Sequence, residues 1–114
     1  MTPPISRGVA ELAELDRVFG ALAHQTRRAI LSVLDANDGL MTSGAIAARF
    51  SCSWPTTSRH LRVLEEAGLV RTVLRGRERV YQLETDRLRK LTTGWISRFD
   101  PGRTNDRGNR TTRR

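Results

Sequence analysis

The 114-residue chain has one cysteine, Cys52, one lysine, Lys90, and two histidines, His24 and His60. A single thiol excludes an internal disulfide framework and any site built from several thiolates of one chain, and it suits a reducing compartment. With two histidines added, a zinc site of three or four nitrogen and sulfur ligands cannot be assembled in one subunit. No run of about 18 apolar residues is present to span a bilayer. Met1–Gly8 lacks the basic-then-apolar layout of a signal peptide, so the expectation is a soluble cytoplasmic protein without a membrane partner. Catalytic pairings are also missing. There is no nucleophile set beside a base, no glycine-rich phosphate loop and no evident carboxylate pair, so no enzyme activity and no cofactor are expected.

What is abundant is arginine. The formal net charge is +8, which favours an anionic partner, nucleic acid before acidic membrane, because summed positive charge concentrates polyanions near the surface. With a lone lysine the charge is nearly all guanidinium, a group suited to bidentate contact with phosphate and guanine edges. Arginine-biased codons in a GC-rich genome account for the same composition. Half of the excess lies in the last stretch, residues 101–114, where five arginines face one aspartate.

At this length one domain with one modest core is expected. Met1–Gly8, with Pro3, Pro4 and Gly8, reads as a flexible arm. From Val9, Leu12, Leu15, Phe19 and Leu22 recur at helical spacing. A second helix, capped by Thr26, buries Ile30, Leu31 and Leu34 and ends at Asn37-Asp38-Gly39. A third, short helix starts at Thr42 or Ser43 with Ile46, Ala47 and Phe50 inward. Ser51-Cys52-Ser53 is a turn, and Ser53 caps a fourth helix with Trp54 and Pro55 in its first turn, Leu61, Leu64 and Ala67 as its buried stripe and Gly68 as its stop. The β-branched and apolar residues of 69–74 and 79–83 flank Arg75-Gly76-Arg77-Glu78 as a hairpin. Thr85-Asp86 caps a last helix carrying Leu88, Leu91, Trp95 and Phe99, and from Pro101 the chain has nothing apolar to bury and reads as a disordered basic tail.

Two short helices joined by a tight turn are a helix-turn-helix. Followed by a hairpin, they make a winged helix-turn-helix from about Thr42 to Glu84, inside a domain of residues 9–100. The fold class is mainly α with a small β-hairpin, about five helices plus a two-stranded wing.

A helix of this kind fits the major groove of duplex DNA, with base contacts on its N-terminal half. That half presents Ser53, Thr56, Thr57, Ser58, Arg59 and His60. Thr56, Thr57, Arg59 and His60 are the candidates for base edges, while Ser53 and Arg62 lie nearer the backbone. Arg75, Arg77 and Arg79 at the hairpin tip can reach the flanking minor groove or phosphates. The bland alternative for the helix is a capped, solvated surface helix. For the whole chain the competing function is a winged-helix module that binds a protein partner and uses its arginines only for solubility.

The stretches 21–31, ALAHQTRRAIL, 52–70, CSWPTTSRHLRVLEEAGLV, and 75–83, RGRERVYQL, resemble the second helix, the recognition helix with first wing strand, and the wing of ArsR-type winged-helix repressors. The resemblance covers roughly Leu15 to Phe99. It implies a cytoplasmic homodimer built on the first and last helices, binding double-stranded DNA and repressing nearby genes, commonly including its own. Leu12, Leu15 and Phe19, with Leu88, Leu91, Trp95 and Phe99, are the candidate dimer interface, the alternative being that these stripes only cover the protomer's own core. Many members of the family sense thiophilic metals through third-helix cysteines or last-helix histidine and carboxylate ligands. This sequence departs from that pattern: Thr42, Ser43, Gly44, Ala45 and Ile46 bring no thiol and the last helix no histidine, so no metal is expected. His24 is expected to pack or cap. Cys52, before the recognition helix, is an idle cysteine or, less commonly, a redox sensor. Trp54 is expected to anchor the turn, base stacking being a minor alternative because bases in a duplex are not splayed.

Overall fold

The computed structural model describes residues 7–102; the expected arm up to residue 6 and the tail from residue 103 lie outside the described residues. In chain order the elements are α1 (Arg7–Leu22), α2 (Gln25–Ala36), β1 (Leu40–Thr42), α3 (Ser43–Ala47), α4 (Trp54–Glu66), β2 (Val70–Arg75), β3 (Glu78–Leu83) and α5 (Thr85–Ile96), with a 3-10 turn at Ser97–Phe99. The first helix thus opens at Arg7, two residues earlier than expected from Val9. Gly8 falls in the first turn, outside the helix interior where a glycine costs about 1 kcal/mol against alanine.

Helical spacing decides which side chains turn inward. Val18 and Ala21 of α1, Ile30 and Leu34 of α2, Ile46 of α3, and Leu61, Leu64 and Ala67 at α4 form one buried cluster with Met41, Leu69, Val70 and Tyr81. Each large side chain fully removed from water contributes about 1.5–3 kcal/mol, and together they fix α4 against the rest of the domain.

Two of the expected caps are corrected. Helix α2 is capped by His24, whose Nδ1 accepts from the Thr26 N–H at 3.2 Å; Thr26 supplies one of the orphan donors, so the acceptor has to precede it. Helix α5 is preceded by Glu84, whose side chain makes no capping bond, and Thr85 and Asp86 lie inside the first turn. There the Asp86 carboxylate favours the positive end of the helix dipole. The stops behave as expected. Asn37 ends α2 and is followed by Asp38 and Gly39, both with positive φ, and Gly68 follows Ala67 at φ +79°.

The wing hairpin of β2 and β3 forms as expected, and a third strand joins it. Strand β1 pairs antiparallel with β3, Met41 opposite Tyr81, giving a three-stranded sheet in the order β1-β3-β2 instead of two strands. A three-residue strand is too short to show a period-two pattern, and its partner is some 40 residues away. At the other edge Arg75 pairs with Glu78, leaving Gly76 and Arg77 as a two-residue loop in which Gly76 has φ +63°. Glycine at the first loop position suits the right-handed twist of the two strands.

Gly68 carries a second constraint beyond its φ, because a Cβ there would lie 2.6 Å from Arg87 Cδ. Arg87 itself pairs with Glu14 and so ties α5 to α1. Gly68→Ala is expected to cost about 1–2 kcal/mol for the left-handed backbone alone, with a further loss as Arg87 is displaced. A thermal melt followed by circular dichroism checks it, and an unchanged Tm contradicts this account.

Candidate nucleic-acid interface

Ser53 sets the start of α4. Its Oγ accepts from the Thr56 N–H at 3.4 Å and donates to Thr56 Oγ1 at 3.2 Å, and Pro55 sits in the first turn, where its missing N–H costs nothing. Because Leu61 and Leu64 are buried, the opposite face carries Pro55, Arg59, Arg62 and Glu66 into solvent. Arg59 and Arg62 are therefore displayed as expected, with Ser58 half-buried on one flank and Thr56 and His60 half-buried on the other. Ser53 is exposed, though its hydroxyl is engaged by the cap.

Thr57 is a correction. It is fully buried, and its Oγ1 lies 3.6 Å from Cys52 Sγ. It shares the inward stripe of Leu61 and Leu64, so it cannot reach a base. The same contact places Cys52, half-buried, as a partner of the core under the turn.

His60 is held from behind. Its ring lies 4.4 Å from the His24 ring, centroid to centroid, and Arg27 Nη1 approaches its Nδ1 at 3.3 Å. Two more donors of Arg27 go to backbone: Nε donates to the Ala21 carbonyl at 2.7 Å and Nη2 to the Gly20 carbonyl at 3.2 Å. A guanidinium only donates, so Nδ1 is the acceptor and the ring proton sits on Nε2. Arg27 thereby joins the end of α1, the start of α2 and the flank of α4, a linkage between residues 33 apart in sequence.

Burial, then His24, Arg27 and Arg59, hold the His60 pKa below its ordinary value of 6.5. As pH falls below 6.5 the unfolded chain takes up the proton while the folded protein resists it, so stability declines until the lowered folded pKa is passed and is unaffected above 6.5. Thermal melts at pH 7.5 and pH 5.5 should show this fall, and it should shrink in His60→Gln, whose amide oxygen still accepts from Arg27. An equal fall in both proteins contradicts the assignment.

Arg75, Arg77 and Arg79 are all exposed at or beside the hairpin tip, and Arg71 further down the wing pairs with Glu84 at 3.4 Å and Gln82 at 3.2 Å. Two arginine groups, one on a helix and one on a wing, thus stand on a single domain. Among the described residues no three His, Cys, Asp or Glu side chains gather as a metal-holding group, and no helix is long and apolar enough to cross a membrane.

A family model described as a helix-turn-helix domain matches residues 22–73. The chain is 35% identical over 85 residues to transcriptional repressor SdpR of Bacillus subtilis, covering 75% of this chain and 91% of that protein. It is 42% identical over 84 residues to HTH-type transcriptional regulator Rv2034 of Mycobacterium tuberculosis, covering 74% and 76% of the two. Among solved structures, an ArsR-like transcriptional regulator from Rhodococcus superposes with a TM-score of 0.67 at 28% identity, covering 90% of this chain and 100% of that one. The chain belongs to the ArsR-type winged helix-turn-helix transcriptional regulators. A winged helix-turn-helix domain from Mycobacterium bovis, 24% identical with a TM-score of 0.66 and full coverage of both chains, shares the fold.

In this ArsR-type regulator the α1 and α5 surface sorts the expected interface residues into two groups. Leu15 is 4% exposed and so belongs to the protomer's interior, and Leu88 and Leu91 pack against the core cluster. Leu12 and Phe19 remain exposed, as does Phe99 at 67%, and Val9 and Ile96 join them. Trp95 is half-buried between Phe19 and Phe99, with ring centroids 5.7 and 5.1 Å away in edge-to-face arrangements. Phe99 reaches this stack from the 3-10 turn, past the end of α5 at Ile96. Val9 precedes Leu12 by three positions and Ile96 precedes Phe99 by three, and that spacing could have found them. Trp54 also departs from expectation: at 42% exposed it is no buried anchor.

Proposed function

We propose that the chain is a cytoplasmic, non-enzymatic repressor that binds duplex DNA sequence-specifically as a homodimer, acting on its own or adjacent genes. The observation that carries this reading is the display of Arg59 and Arg62 on the outward face of a helix pinned by Leu61 and Leu64, beside an arginine-tipped wing. In this reading α4 enters the major groove, with Arg59 reaching base edges, Ser58 and the Nε2–H of His60 meeting acceptors along the groove wall, and Arg62, Ser53 and Thr56 lying against the backbone. Arg75, Arg77 and Arg79 contact phosphates or the flanking minor groove. The exposed apolar face of α1 and α5 covers its twin, placing two α4 helices about 34 Å apart, one turn of the duplex, or a multiple of that.

Gel shifts on genomic fragments, including the region upstream of the chain's own gene, with footprinting of the retained fragment, test this. A dyad-symmetric footprint is expected, and binding to random duplex should fall with salt at a log–log slope of about −0.9 per phosphate neutralised. A protein that leaves every duplex unshifted in dilute buffer refutes the proposal.

A further inference from the structure

We infer that Trp54 reads a thymine methyl group through an apolar cleft it forms with α3, an inference that rests on the DNA-binding reading above. Three observations converge on this residue. First, it is out of place among the exposed aromatics of the described residues: Phe19 and Phe99 lie on the α1 and α5 side, whereas Trp54 stands at the opposite functional end, with 42% of its surface in water. Second, it occupies the first position of α4 after the Ser53 cap. Side chains of a helix tilt toward its N-terminus, so the indole projects ahead of the helix end that enters the groove. Third, it does not stand alone. Trp54 faces Ser43, Gly44 and Ala47 across an open cleft of about 270 Å³. A Cβ added at Gly44 would meet no atom within 4 Å, so the absence of a side chain there keeps the cleft open.

The occupant follows from the lining. The indole, the Ala47 methyl and the Gly44 Cα make the lining mostly apolar, with the Ser43 hydroxyl beside them. In the major groove guanine, cytosine and adenine present only donors and acceptors, while thymine alone adds an apolar group, its C5-methyl. Arg59 and Arg62, exposed on the same helix, bring the anionic duplex to this end of the domain. A protein partner would have to meet these guanidiniums with carboxylates, whereas a duplex supplies both the charge and the methyl.

The test uses duplexes selected from a random library by the wild-type protein, with each half-site thymine replaced in turn by deoxyuridine, which deletes only the methyl. At one thymine the wild type should lose roughly fourfold in affinity, the worth of one buried methyl, and Trp54→Ala should lose nothing further at that position. Gly44→Leu, which fills the cleft while leaving Trp54 in place, should likewise become insensitive to that methyl. The inference is overturned if deoxyuridine costs wild type and Trp54→Ala the same at every position, if the selected half-site contains no thymine, or if Trp54→Ala weakens selected and random duplex alike. A wild type that retains no duplex at all overturns the DNA-binding reading and this inference with it; normal retention without a methyl effect overturns this inference alone.

Discussion

Alanine at Arg59 is expected to weaken binding to the selected operator by about 5- to 150-fold, the equivalent of the 1–3 kcal/mol that a bidentate base contact discriminates, while leaving affinity for random duplex nearly unchanged. The expectation follows from position. Arg59 is exposed within the first two turns of α4, on the face opposite Leu61 and Leu64, so its guanidinium reaches furthest into the groove. Arg77→Ala should behave differently. Set in the two-residue loop of the wing, away from the groove, it should lower specific and random binding by the same factor and reduce the salt slope by about 1, the signature of one lost phosphate contact. Fluorescence anisotropy on both duplexes across a salt series separates the two cases. Equal proportional losses for Arg59→Ala on operator and random DNA would show that α4 lies along the backbone instead of in the groove.

The parts of the fold that local chemistry controls were legible in the sequence. Ser53, Pro55 and Gly68 bracket α4 because a hydroxyl cap, a proline in the first turn and a left-handed glycine each act within a few residues. The same holds for the Gly76 turn. What escaped depends on partners far along the chain: β1 is a strand only because β3 lies beside it. The two caps misassigned to Thr26 and Thr85 share another cause, since a hydroxyl inside the first turn looks like a cap in sequence. In the structure the acceptor is the Nδ1 of His24 in one case, and no side chain in the other.

At the interface, exposure followed the helical wheel, so Arg59 and Arg62 were visible from spacing alone. Thr57 departs from expectation because a hydroxyl near a helix start suggests polar surface, although the intervals from 57 to 61 and 64 put it on the buried stripe. Burial of a threonine there is tolerated because Cys52 lies within contact of the hydroxyl. His60 could not have been oriented from sequence at all. Its direction depends on Arg27, and Arg27 is placed by carbonyls at the end of α1. Leu15 shows the same limit: a stripe at helical spacing does not say whether its burial is by the chain itself or by a copy.

That distinction governs the largest effect expected. Leu12 and Phe99 are 44% and 67% exposed in the protomer, so glutamate at both positions should leave the core around Ile30, Leu34, Leu61 and Leu64 intact. Brought against a twin copy, however, the same carboxylates lose water without gaining a partner, at several kcal/mol each. The double variant should therefore elute as a monomer at micromolar concentration with its helical circular dichroism preserved. Its operator affinity should fall by about 10²–10⁴, because each half-site is then bound without the effective concentration its neighbour supplies. Light scattering and anisotropy on the same sample read both quantities. A variant that remains dimeric places the twofold contact elsewhere, and one that is monomeric yet binds the operator undiminished shows that a single α4 and wing suffice.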